Sequence, residues 1–181
     1  SITITMNGNK AVTANFTTAP SDGSGQGGPT VAYTVMTSPA GRSITVDGLS
    51  CTAPCTFNWN PGGEHTLSVS SPQSGTPGTR FVFSSWSDEG SQEHTITAPS
   101  ASTTYTANFT TQYSLTTAVS SSGGGTVSPS GTNWYAGGQS VSISATAGLE
   151  YSFSGWSGDL NGSANPASLT MNGPKSVTAS F

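Results

Sequence analysis

The chain has 181 residues with eight acidic and four basic side chains, a net charge of -4 at pH 7 and a pI near 4.7. Nucleic acid and anionic membranes need clustered Lys and Arg to neutralise phosphate, and Lys10, Arg42, Arg80 and Lys175 are scattered, so neither is an expected partner. No apolar run reaches the ~20 residues of a spanning helix and no signal peptide opens the chain, which excludes membrane insertion by helices and places any secretion signal outside this sequence.

The chain repeats itself. Residues 4–16, ITMNGNKAVTANF, return as LTMNGPKSVTASF at 169–181, and a looser copy, ITAPSASTTYTANF, ends at Phe109. Residues 1–16 are therefore expected to be the closing β-hairpin of a preceding repeat. Asn7-Gly8 and Asn172-Gly173 each sit between alternating runs and predict a tight hairpin, because a type I′ turn needs positive φ at both central residues. Residues 17–32, TTAPSDGSGQGGPTVA, read as a Gly/Pro/Ser linker.

A first full module (module 1) is expected from Tyr33 to Phe109, and a second (module 2) from Tyr113 to Phe181. They share NWNPGGEHTLSV at 58–69 with NWYAGGQSVSIS at 133–144, and RFVFSSWSD at 80–88 with EYSFSGWSGD at 150–159. Only Thr110, Thr111 and Gln112 join them, short enough to limit relative motion. SVSIS at 140–144, YSF at 151–153, TYTANF at 104–109 and SVTASF at 176–181 alternate with period two, whereas helical periodicity is nowhere convincing. The expected fold is all-β: short antiparallel strands, with at most one short helical turn per module.

Module 1 holds both cysteines, Cys51 and Cys55, in CTAPC. A local disulfide is favoured over a free pair or a metal site, since no second pair or flanking His completes a zinc set and CxxxC is not the redox spacing. A bridge would favour an oxidising compartment.

The expected structural core is Phe81, Phe83, Trp86 and Phe109 in one module and Tyr151, Phe153, Trp156 and Phe181 in the other. In YSFSGW, Tyr151, Phe153 and Gly155 share a face and Trp156 falls out of register. Either Trp156 points to the opposite face or Gly155 marks a bulge that returns it to the core. The core is favoured, because so small a module is short of large apolar side chains. Trp59 and Trp134 lie in polar turns, with Tyr135 adjoining, and are the candidates for a sugar-stacking platform. Asp159 and Asn161, with Asn165, are weak calcium candidates, against a solvated turn that explains them equally well. His65 and His94, each beside a Glu and a Thr, are read as surface residues at strand starts. Without a nucleophile elbow or a second-module histidine, no catalytic residue, metal or cofactor is expected.

The ordered set Gly124-Gly125-Thr126-Val127, Pro129, Gly137, Val141, Tyr151, Phe153, Gly155-Trp156-Ser157-Gly158-Asp159, Met171, Lys175, Val177-Thr178-Ala179 and Phe181 resembles the bacterial extracellular repeats related to internalin B-repeats. Module 1 is a divergent partner in which ITVDGLSCTAPCTFNW replaces the Gly-rich start. The resemblance implies β-grasp-like or sandwich-like modules found in tandem in secreted or surface proteins, serving as stalk, spacer or adhesive array, with no catalytic residues to transfer. The expected partners are neighbouring repeats of the same chain. The alternatives are a homopolymer built by strand addition of residues 1–16, and a polysaccharide or host surface bound by a carbohydrate-binding module appended to a secreted enzyme. The expected location is extracellular or the cell surface.

Overall fold

The computed structural model describes residues 28–181. The hairpin expected at 1–16, its Asn7-Gly8 turn and most of the 17–32 linker lie outside the described residues. The described fold is all-β, without helix: β1 (Val31–Ser38), β2 (Ser43–Val46), β3 (Leu49–Thr52), β4 (Cys55–Trp59), β5 (Glu64–Ser68), β6 (Gln73–Ser74), β7 (Thr79–Trp86), β8 (Glu93–Thr97), β9 (Thr104–Val119), β10 (Gly125–Ser128), β11 (Gly131–Ala136), β12 (Ser140–Ala147), β13 (Gly155–Gly158), β14 (Ala167–Thr170) and β15 (Lys175–Ser180).

Thr110, Thr111 and Gln112 are not a connecting loop. They lie inside β9, one strand of 16 residues that closes module 1 and opens module 2. At about 3.3 Å per residue it spans roughly 50 Å. Along one side β7 and β15 pair with successive lengths of β9, and along the other β1 and β11 do so. The joint is thus paired along its whole length with β7, while on the other flank Gln112 pairs with Ala136 and the Thr111 carbonyl accepts from the Gly137 amide. Backbone groups that a loop would leave to water are held within the fold.

Two of these ladders depart from the antiparallel expectation. β1 runs parallel to β9 (Thr34 beside Thr104 through Ser38 beside Asn108), and β15 runs parallel to β9 (Lys175 beside Leu115 through Ala179 beside Val119). The first and last strands of each module are therefore parallel neighbours, made possible because the intervening strands supply a long crossover. Smaller antiparallel sheets, β3-β2-β5-β8 in module 1 and β10-β12-β14 in module 2, complete the modules.

Asn172-Gly173 does not form the expected hairpin. β14 pairs with β12 and β15 with β9 and β13, so the chain turns a corner between sheets there, and neither residue takes positive φ. The type I′ pair is instead Asp47 (φ 50) and Gly48 (φ 79), between β2 and β3. YSF at 151–153 is not strand either: Glu150 takes φ 66, and pairing begins only at Gly155.

Alternation along β9 puts Tyr105, Ala107, Phe109, Leu115 and Thr117 on one buried face, so both cores lie on the same side of the shared strand. One core gathers Tyr33, Val35, Ile44, Val46, Trp59, Leu67 and Trp86; the other gathers Leu115, Val141, Ile143, Trp156, Met171 and Val177.

Cys51 and Cys55 are bridged. The bridge ties β3, in the small sheet, to β4, on the edge of the large one. Because the closed loop is short, reduction is expected to lower module 1 stability by about 2 kcal/mol or less. Calorimetry with and without reductant should move the module 1 transition and leave that of module 2 in place.

Burial first, then the nearby charges of Asp88 and Tyr33, raises the pKa of the Tyr105 hydroxyl. The folded state thus prefers the neutral phenol, and its contribution is complete below the unfolded pKa of about 10 and lost as pH rises beyond it. A Tyr105→Phe chain should keep more of its stability above pH 10 in an alkaline unfolding titration.

Candidate functional site

In module 1 the β7 to β9 register shifts between Phe83 and Ser85, so a bulge at Ser84 returns Trp86 to the face that carries Phe83. In module 2 the same result comes from Gly155, whose φ of 149 is open to glycine and whose absent Cβ would sit 3.1 Å from the Gly162 carbonyl oxygen. Trp86 then lies beside Ala107 and Trp156 beside Ala179, the same step of the two closing strands, where a small partner leaves room for the indole. Each indole N–H also finds a carbonyl, Trp86 Nε1 donating to Gln92 at 3.2 Å and Trp156 Nε1 to Ala164 at 2.7 Å. With 2% and 5% exposure, these tryptophans have no face left for a ligand.

Phe109 is buried, and Phe81, Phe83, Phe153 and Phe181 are half-buried against the same two clusters. Tyr151 corrects the core expectation. It is 47% exposed, because the segment before Gly155 is unpaired and nothing holds its ring on the core face.

The sugar-platform expectation is corrected at Trp59, whose ring is taken up by the core. Trp59 is 7% exposed and stacked on Tyr33 (5.0 Å), Phe57 (5.3 Å) and His65 (4.1 Å). It ends β4 opposite Val31, on the face of Tyr33, whereas Trp134 sits opposite Ser114 and points to the other face of the sheet. Two similar motifs thus meet their sheets one residue apart, which reverses the side chain. Tyr135, on the core face, packs half-buried against the module 2 cluster.

The polar candidates are occupied by the fold itself. Asp159 accepts from the Ser176 amide at 2.7 Å and from Lys175 Nζ at 3.4 Å, while Asn165 is held by both backbone groups of Ala145. Asn161 is an exposed loop residue, and no metal-binding cluster of His, Cys, Asp or Glu occurs among the described residues. The histidines are less solvated than expected. His65 Nδ1 contacts Asp47 at 2.7 Å, and the other Asp47 oxygen accepts from the Thr66 amide, which locks the ring over Trp59. His94 Nε2 contacts Asp88 at 2.9 Å, and the ring abuts Trp86. Both are braces for a tryptophan.

The arrangement that no single motif announces is the seam between modules. Arg80 of β7 donates from Nε to Gln112 Oε1 at 2.8 Å, and its guanidinium lies 4.5 Å from the centre of the Trp134 ring. Gly78, at φ 76, donates no side chain to the gap; a Cβ there would stand 2.7 Å from Pro174, and the Gly78 carbonyl accepts from the Ser114 amide at 2.9 Å. Arg80 and Trp134 lie far apart in sequence and meet only because β7 and β11 flank the same stretch of β9. A partly desolvated cation–π contact contributes about 0.5–2 kcal/mol. Arg80→Ala should therefore raise amide exchange at Thr110–Tyr113 by about 2- to 30-fold while leaving exchange at Val35 and Ile143 unchanged.

No curated protein matches the chain. The family model described as the divergent InlB B-repeat domain matches residues 115–181, so the resemblance carried by the GGTV start, the GWSGD corner and the MNGPKSVTASF close is borne out over that part of the chain.

Proposed function

We propose that this chain is a non-catalytic structural repeat segment of a bacterial surface or secreted protein, and that it acts as a spacer or stalk. The observation that carries the reading is β9, a single strand that belongs to two modules at once. Because each module's first and last strands are parallel, the chain enters at one end and leaves at the other, so successive modules add length along one direction. Repeats that contact only their neighbours can extend in this way without a central core. The family match over module 2 supports the surface-repeat class, and the candidate polar groups support a non-catalytic role by being spent on turns and strand contacts.

Small-angle X-ray scattering with light scattering on the full chain tests the proposal. A concentration-independent monomer with an elongated distance distribution is expected. Growth into higher oligomers that disappears when residues 1–27 are removed would replace the spacer with strand addition through the 1–16 segment.

A further inference from the structure

We infer that each module is a mechanical clamp, and that the chain's further function is to bear tension without unfolding. The inference rests on the spacer reading and goes beyond it, because a spacer need only have length, whereas this topology dictates how a pull is resisted.

Tension on a chain acts where the chain enters and leaves a module. In module 1 those points are the start of β1 and the exit through Phe109; in module 2 they are the start of the second half of β9 and the end of β15. In each case the two loaded strands are immediate, parallel neighbours with five registered pairs. Pulling their opposite ends drives one strand along the other. Interstrand N–H···O bonds run across the strands, so the load strains the whole ladder together. Had the terminal strands been antiparallel, the same pull would open one bond pair after another.

Burial raises the resistance further. Tyr33, Val35 and Thr37 on β1, and Tyr105 and Ala107 on β9, are buried, as are Leu115 and Thr117 against Val177 and Ala179. A slip of one residue would turn all of them to the wrong face, so the smallest compatible slip is two residues, about 7 Å. Moving that far drags buried side chains past one another before any new register forms. Between modules the load passes along β9 itself, which is flanked at the joint by β7 and β11. No slack linker has to carry it between Phe109 and Tyr113.

The test is single-molecule force spectroscopy on the full chain in two pulling directions. In the first, handles are placed at the two chain ends. In the second, one handle is attached at Ser122→Cys and the other at the C-terminus, which loads the Val119 and Ala179 end of the β9–β15 ladder crosswise and unzips it. Ser122 is exposed and makes no hydrogen bond among the described residues, and both native cysteines are bridged to each other, so the new thiol is a selective anchor. The clamp requires rupture of module 2 at a several-fold higher force end to end than in the crosswise direction. Equal forces in the two directions, or an end-to-end force as low as the crosswise one, would overturn it. The scattering experiment decides the spacer reading separately, because a rod-shaped monomer can fail the force comparison and an oligomer can pass it.

Discussion

Trp156→Ala is expected to destabilise module 2 by about 3–5 kcal/mol, the usual range for truncating a buried tryptophan. The indole is 5% exposed, faces Ala179 across the β13 to β15 ladder, packs 4.9 Å from the Phe153 ring centre and donates to the Ala164 carbonyl. Its loss leaves both a cavity and an unpaired carbonyl. A single core in fewer than about 80 residues rarely supplies more than about 3–5 kcal/mol, so the substitution should unfold module 2 outright at 37 °C. Module 1 should survive, because Thr104–Asn108 remain held by β1 and β7. Hydrogen exchange read by mass spectrometry would then show protection lost across Leu115–Val119 and kept across Thr104–Asn108. Retention of protection in both halves of β9 would mean that the indole is not the centre of the module 2 core.

Gly158→Ala is the second large effect. Gly158 has φ 93, and a Cβ there would lie 2.4 Å from the Ser176 carbonyl oxygen, a backbone atom that cannot rotate away. The left-handed conformation alone costs a residue with a Cβ about 1–2 kcal/mol, and overpacking adds about 1–3 more. The total, about 2–5 kcal/mol, rivals the tryptophan truncation although only one methyl group is added. The next residue, Asp159, holds Ser176 and Lys175 through its carboxylate, so any backbone shift at Gly158 also withdraws that brace from β15. Chemical denaturation should show a midpoint loss in the module 2 transition comparable with that of Trp156→Ala. Gly162→Ala, also at positive φ but with open space around its Cβ, should lose only the conformational part. Equal losses at Gly158 and Gly162 would mean that the close approach to Ser176 contributes nothing.

Much of the candidate site was legible because its signals are local. Gly155 before Trp156 announced a bulge or a close approach, and the close approach to Gly162 occurs there, while the bulge ahead of Trp86 falls at Ser84. CTAPC announced its own bridge. Asp47-Gly48 carries an equally local turn signal, and the tight turn forms there rather than at Asn172-Gly173. The Arg80–Trp134 contact had no local signal at all, since neither residue's neighbours differ from those of an ordinary exposed strand.

The sequence by itself determined that the chain is all-β and repeated, with a tryptophan at the same step of each repeat, because alternation, turn residues and self-similarity are properties of the chain read in order. Only the tertiary structure decided which strand each run joins, and in which direction. Alternation says that two faces exist but not what lies against them, so TYTANF and YSLTTAV could be read as two strands with a join when they are one. In the same way Trp59 and Trp134 share an Asn before and a Gly pair after, yet one is core and the other lies under an arginine. A register difference of a single residue separates them, and register is set by the partner strand rather than by the residues themselves.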